Sequence, residues 1–244
     1  MNYSDPSFQS RRFERRQAVF EIIMVSGIVS GFLTSLVFAA GFGRNRLNLT
    51  EMNVEFFAAY LLFESAITFF ILWILMKARR ETFFMLGLRW EHWKMHVLLG
   101  ILAAPYLFIV GGVTGMFFQL FLPKYALEKN PLMEMINSPR QLTLFIIVGI
   151  ISGGIKEEFQ RAFILNRFRQ HLGGAGRGLV IWSLAFGAGH YAQGVQGMCA
   201  AVILGFIFGA LYLIRGNLIL PITAHAVYNT LALLIYWFLI GINK

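Results

Sequence analysis

The chain has 244 residues, 57% of them hydrophobic and only 14% charged, with 25 Phe and a mean hydropathy of +0.65. Such a composition excludes an ordinary soluble domain: uncharged runs of roughly 18 or more apolar residues recur along it, and runs of that length can cross a bilayer as helices. The formal net charge of +9 does not point to nucleic acid, because the cations sit in the loops between apolar runs, which is the bias of cytoplasmic loops.

Residues 1–20 are polar and carry Arg11, Arg12, Arg15 and Arg16, a basic cytoplasmic segment. The apolar run 22–40 that follows exceeds the ~7–15 residues of a signal peptide's apolar region, so an uncleaved first span is expected there. The loop 42–54 holds Asn48-Leu49-Thr50, a glycosylation sequon by pattern, read here as a chance occurrence beside the membrane. A second span is expected over 56–76, with one carboxylate, Glu64, for which a structural hydrogen-bonding role or a neutral form is expected.

After Lys77-Ala78-Arg79-Arg80 comes a short segment with Trp90, His92, Trp93 and His96. The i, i+4 histidines have the spacing of metal ligands on one helix face, but the company of Trp and basic residues reads as an interfacial belt. A third span covers 97–122, with a kink expected at Pro105, and the loop 123–141 contains Pro123, Pro131 and Pro139. A fourth span, 142–165, ends at Asn166-Arg167-Phe168-Arg169. The glycine run 173–178 reads as a turn, since no strand precedes it as a phosphate-binding loop would require. A fifth span runs from 179 to about 190, a sixth from 198 to 214 with Gly205 and Gly209 four apart, a spacing that lets helices approach closely and also arises by chance. A seventh covers 218–240. The single cysteine, Cys199, allows no intrachain disulfide.

The expected fold is therefore all-α, a multi-pass transmembrane helical bundle of about seven spans. The segments 11–16, 77–80, 89–94, 167–177 and Arg215 gather most of the cations, against Arg44, Arg46, Lys124, Lys129, Arg140 and Lys244 on the other side. This asymmetry puts the N-terminus in the cytoplasm. The organisation expected is a basic segment, 1–20, an N-terminal set of helices, 21–141, and a C-terminal core, 142–240.

That core carries the unusual chemistry. Gly153-Gly154-Ile155-Lys156-Glu157-Glu158-Phe159-Gln160-Arg161 lies inside an apolar run, where each charge costs at least ~2.5–3.5 kcal/mol on insertion scales and marks a functional site by default. On a helix Arg161 neighbours both Glu157 and Glu158. At 1.5 Å per residue, Glu157 lies ~15 Å from Arg167, His190 ~18 Å from Gly178, His225 ~12 Å and Asn229 ~18 Å from Asn217. Three helices thus bring polar groups to one layer, and Glu64, ~20 Å from Lys77, reaches the same depth. Singly, each has a bland reading: a hydrogen-bonded interhelical His, an Asn between helices, a snorkelling Arg. Together they supply a carboxylate to take a proton from water and imidazole and amide groups to stabilise an oxyanion or hold a metal.

These blocks, Glu157-Glu158 with Arg161, Phe186 with His190, and His225 with Asn229, resemble the intramembrane proteases related to the CAAX-processing endopeptidase, the CPBP or Abi family. The resemblance covers roughly residues 142–240. It departs from the family pattern in one place: the chain has Glu-Glu-x-x-Arg where the family has Glu-Glu-x-x-x-Arg, so aligning on Arg161 puts Lys156 at the first glutamate position, and aligning on the glutamates puts Ala162 at the arginine position. The resemblance implies an intramembrane endopeptidase acting on a membrane-associated peptide or protein, with Glu157 as base and Glu158 as its alternative. His190 would orient water or bind a metal, and His225 and Asn229 would stabilise the oxyanion. A divalent metal such as zinc, with Glu157, His190 and His225 as candidate ligands, and a metal-free mechanism both remain open. A proton- or ion-coupled transporter uses similar buried groups but calls for repeated halves with broken helices. A non-catalytic chaperone or immunity protein on the same scaffold is the other alternative. The site is expected within the membrane, on the cytoplasmic side of its midplane.

Overall fold

The structure, a computed structural model, describes residues 6–47, 52–127 and 130–239. The Asn48-Leu49-Thr50 sequon, Lys129 and Lys244 lie outside the described residues. Among those described, the chain is all helix, with no strand. Helices satisfy their own backbone groups, which a bilayer interior demands.

The first expected span, 22–40, is interrupted. Helix α1 (Pro6–Val25) begins well before it, and α2 (Ile28–Phe42) follows a break at Ser26-Gly27. Gly27 has φ 93°, a left-handed conformation that only glycine adopts cheaply. The break is held by side chains: Gln160 Nε2 donates to Val25 O, and Ser30 Oγ donates to Gly27 O at 3.3 Å. Helix α3 (Val54–Ala78) is N-capped by Asn53, whose side chain accepts from Phe56 N at 2.8 Å. Helix α4 (Trp93–Phe121) runs through Pro105 without ending there. His92 sits at its start with φ 53° and is exposed, beside the exposed Trp90 and Trp93, while His96 is buried. In the expected loop 123–141, the short helix α5 (Pro131–Glu134) and then α6 (Pro139–Val148) each begin with proline, where its missing N–H costs nothing.

Helix α6 continues without a break through a π-helical segment, Gly149–Lys156, into α7 (Glu157–His171). The fourth span was expected to end near residue 165; instead the helix extends to His171. Arg167, expected in a cytoplasmic loop, is fully buried inside α7 because its guanidinium meets Glu21 and Glu81. Every residue from Glu158 to Phe168 is buried. Around Phe163, Ile164 and Leu165 gather Leu72, Leu86 and Leu218, the main core. A helix enclosed on all sides can carry charges that lipid would not tolerate. Helices α8 (Ala175–Gly189), α9 (Gly194–Arg215) and α10 (Ile219–Leu239) complete the bundle.

Five helical stretches are long and apolar enough to cross a membrane: Arg12–Phe42, Val54–Ala78, Trp93–Phe121, Tyr191–Arg215 and Ile219–Leu239. The other two expected spans correspond to α6–α7, which is too charged, and to α8, which has only 15 residues. Large apolar side chains, among them Phe32, Phe70, Ile109 and Leu120, face outward, as a lipid-contacting surface requires.

Candidate active site

The first block is built where the helix changes its winding. A π turn is rare and is found mostly at functional sites; here eight residues, Gly149–Lys156, adopt it immediately before Glu157. Gly153 and Gly154 let α10 come close. A Cβ on Gly153 would run into Asn229 Nδ2 and lie 3.6 Å from His225 Nε2, and one on Gly154 would lie 2.8 Å from Ala226 Cβ. The space that these two glycines leave is taken by the third block.

Glu158 and Arg161 are both 1% exposed. Arg161 Nη1 donates to Glu158 Oε1, and His225 Nδ1 lies 2.8 Å from the same oxygen. The Arg161 guanidinium also lies over the rings of Phe186 and Phe208, 4.8 and 5.6 Å from their centroids, a cation–π arrangement. Gly209 leaves the space: a Cβ there would sit 3.3 Å from Arg161 Cδ. Phe208 in turn stacks on the His225 ring, at 4.3 Å and 14°. His225 is therefore fixed both in its plane and about its axis. A carboxylate only accepts hydrogen bonds, so with Glu158 ionised Nδ1 carries a proton and Nε2 is the atom left for other partners. Nε2 lies 3.9 Å from Glu157 Oε2, and the Glu157 side chain, unlike that of Glu158, is 17% exposed.

Asn229, one turn along α10 from His225, donates from Nδ2 to Gly149 O at 3.3 Å, so it also holds the first residue of the π segment. His190 ends α8. Its Nδ1 lies 2.8 Å from Phe186 O, which fixes Nδ1 as the donor and leaves Nε2 free, and its ring packs on Phe186 at 4.6 Å. Phe186 thus carries Arg161 against its ring and also packs on His190. Among the described residues His190 makes no hydrogen bond or ion pair with the glutamates or His225. Nor does any group of three His, Cys, Asp or Glu side chains among them form a set that could hold a metal ion. The candidate trio Glu157, His190 and His225 is thus not assembled as a ligand set, and His92 and His96 likewise find no third ligand.

Several polar contacts escaped the sequence reading. Lys156 Nζ, buried, pairs with Glu64 Oε2 at 2.9 Å, while Glu64 Oε1 accepts from Ser30 Oγ at 2.5 Å and from Thr68 Oγ1 at 2.9 Å. Glu21, 1% exposed, receives Arg167 Nε at 2.5 Å and Arg79 Nε at 2.6 Å. A signal was present: Glu21 and Glu64 are carboxylates in or beside apolar runs, and buried charges need partners.

Comparisons with curated proteins and with solved structures found no match. Residues 139–231, the stretch that holds all seven side chains of the three blocks, match the family model described as Rce1-like, type II CAAX prenyl endopeptidase Rce1-like.

Proposed function

We propose that the chain is an intramembrane endopeptidase in which Glu157 activates the attacking water, on a substrate whose scissile bond lies near a prenylated C-terminal motif. The observation that carries this reading is the pair of contacts on one imidazole: Glu158 at 2.8 Å from Nδ1 and Glu157 at 3.9 Å from Nε2. Glu158 gives Oε1 to Arg161 and His225, and its Oε2 is buried away from water. Glu157 is the partly exposed carboxylate, with oxygens free to accept a proton.

The chemistry follows from those positions. Water gives a proton to a Glu157 oxygen while its own oxygen bonds to the scissile carbonyl carbon, and the carbonyl π electrons move to oxygen. Asn229 Nδ2 and His225 Nε2–H donate to that oxyanion. With Nδ1–H committed to Glu158, an Nε2–H means the imidazolium, which the two glutamates flank. Collapse breaks the C–N bond, and the proton held by Glu157 passes to the leaving nitrogen, giving an amine and a carboxylic acid, which then loses its proton to solvent. His190 Nε2, left free by the bond from Nδ1 to Phe186 O, accepts from the water and orients it. No step needs a metal.

The membrane arrangement proposed with this is seven crossings with a cytoplasmic N-terminus, α7 enclosed by the other helices, α8 crossing at the edge of the bundle with Val180, Ile181 and Leu184 outward, and the site on the cytoplasmic side of the midplane. The test is cleavage of a farnesylated Cys-aliphatic-aliphatic-X reporter peptide by the purified chain in lipid vesicles. Wild type is expected to cut it and Glu157→Gln to have no detectable turnover, since an amide cannot take water's proton. A fully active Glu157→Gln protein defeats the reading.

A further inference from the structure

Helix α7 has two polar faces. One points to α8, α9 and α10 and holds Glu158 and Arg161. The other points to the N-terminal helices: Lys156 meets Glu64 of α3, Gln160 meets the end of α1, and Arg167 meets Glu21 of α1. The Lys156 contact is the one nearest the chemistry, because Lys156 is the last residue of the π segment and Glu157 the next residue in the chain.

A π segment advances through a smaller angle per residue than an α-helix. If it relaxed to α winding, every residue downstream would turn about the helix axis, and Glu157 and Glu158 would swing away from His225. The segment is fastened at both ends. At the first residue, Asn229 Nδ2 holds Gly149 O at 3.3 Å; at the last, Glu64 holds Lys156 at 2.9 Å. Glu64 cannot drift, since Ser30 and Thr68 occupy its other oxygen. A buried ion pair is weak support for stability, as apolar residues of similar volume often replace it without loss. What it supplies is a position.

We propose that Glu64 is a positioning residue for the Glu157–Glu158 pair, acting through Lys156 at the junction between π and α winding. Glu64, Ser30 and Thr68 all lie outside the segment 139–231 that matches the protease family, so the N-terminal helices complete the site. The inference rests on the protease reading for its effect on turnover, but its effect on geometry is measurable without substrate.

The experiment compares Glu64→Gln, Lys156→Met, the double variant and Glu64→Asp in the full chain reconstituted in lipid vesicles. Three quantities are read: melting temperature, kcat and KM on the farnesylated reporter, and the 15N spectrum of His225. Each neutralising single variant leaves a buried charge alone and is expected to melt lower, and the double variant is expected to recover. Glu64→Asp keeps the charge with a shorter reach and is expected to stay folded. In both the double variant and Glu64→Asp, kcat is expected to fall ~10–100-fold, the range a misplacement near 1 Å produces, with KM within about twofold. The His225 Nδ1 resonance is expected to lose its Glu158-bonded position. A double variant with wild-type kcat and a wild-type His225 spectrum overturns the proposal. If the wild-type chain does not cut the reporter, the protease reading fails, and the His225 spectrum of the folded variants alone decides this one.

Discussion

Glu158 and His225, 67 positions apart in the chain, are joined at 2.8 Å through Oε1 and Nδ1, while the neighbouring Glu157 stands on the far side of the same ring, 3.9 Å from Nε2. Two adjacent carboxylates therefore share one imidazole from opposite sides, one of them buried and paired and the other partly exposed.

That difference predicts opposite responses to the same change. Glu158→Gln leaves Arg161 buried without its counter-charge and should destabilise the chain by ~3–5 kcal/mol, the usual result of removing one member of a buried pair. Glu157→Gln should melt within a degree or two of wild type while turnover disappears. Thermal unfolding in detergent, measured beside reporter cleavage, distinguishes the two. Equal melting temperatures for both variants would contradict the assignment of Glu158 as the buried anchor.

Gly153 faces the third block, and a Cβ there would meet Asn229 Nδ2. Gly153→Ala should therefore push Asn229 off its position and lower kcat at least tenfold. Gly41→Ala, at a position with nothing within 4 Å, is the control and should leave kcat unchanged. Matching activity in the two variants would show that Asn229 has freedom to retreat.

The sequence assigns Glu157, His190, His225 and Asn229 to one layer because helix rise converts residue number to depth, but depth does not say which groups touch: His225 meets Glu158 at 2.8 Å, while His190 turns to Phe186 O. It did not show the partners of Lys156 or Arg167, because pairing between distant helices depends on which faces pack together, and Glu64 and Glu21 carry no mark of their choice. The break at Ser26-Gly27 was hidden in a run that is apolar on both sides. Its stabilising groups, Gln160 and Ser30, lie elsewhere on the chain or inside α2. The count of crossings depended on whether a charged helix faces lipid or protein. The enclosure of α7, buried from Glu158 to Phe168, is a fact of packing to which composition has no access. The π winding follows two glycines and an amide from another helix, none of which is a signature by itself.

Topology is checked at two positions. The turn between α7 and α8 holds Gly173 and Gly174 in left-handed conformations, φ 88° and 102°, and the cations that favour a cytoplasmic location lie near it. A reporter inserted at Gly173 should be accessible only from the cytoplasmic side, and one fused after Lys244 only from the other side. Labelling at Gly173 from the outer face would overturn the orientation and, with it, the placement of the site below the midplane.

Metal removal is the next test. No three ligand side chains assemble among the described residues, so dialysis against a strong chelator in vesicles should change reporter turnover by less than about twofold, and elemental analysis should find substoichiometric metal in wild type and in His190→Ala alike. Stoichiometric zinc that disappears in His190→Ala would reassign that histidine as a ligand.

Asn229 gives the most direct test of transition-state stabilisation. Its Nδ2 has two hydrogens; one is spent on Gly149 O at 3.3 Å, and the other is free for the oxyanion. Removing such a donor costs roughly 2.7–4 kcal/mol, a loss of ~10²–10³ in turnover. KM should hardly move, because the bond strengthens only as charge develops on the oxygen. Asn229→Ala also frees the first π residue, so a drop in kcat alone is ambiguous between lost donation and lost positioning. Asn229→Ser separates them: a hydroxyl can still donate but is too short to reach both Gly149 O and substrate. Partial recovery of kcat in Asn229→Ser, with the His225 15N spectrum unchanged in both variants, identifies Asn229 as an oxyanion donor. A displaced His225 resonance in Asn229→Ala assigns it instead to holding the π segment.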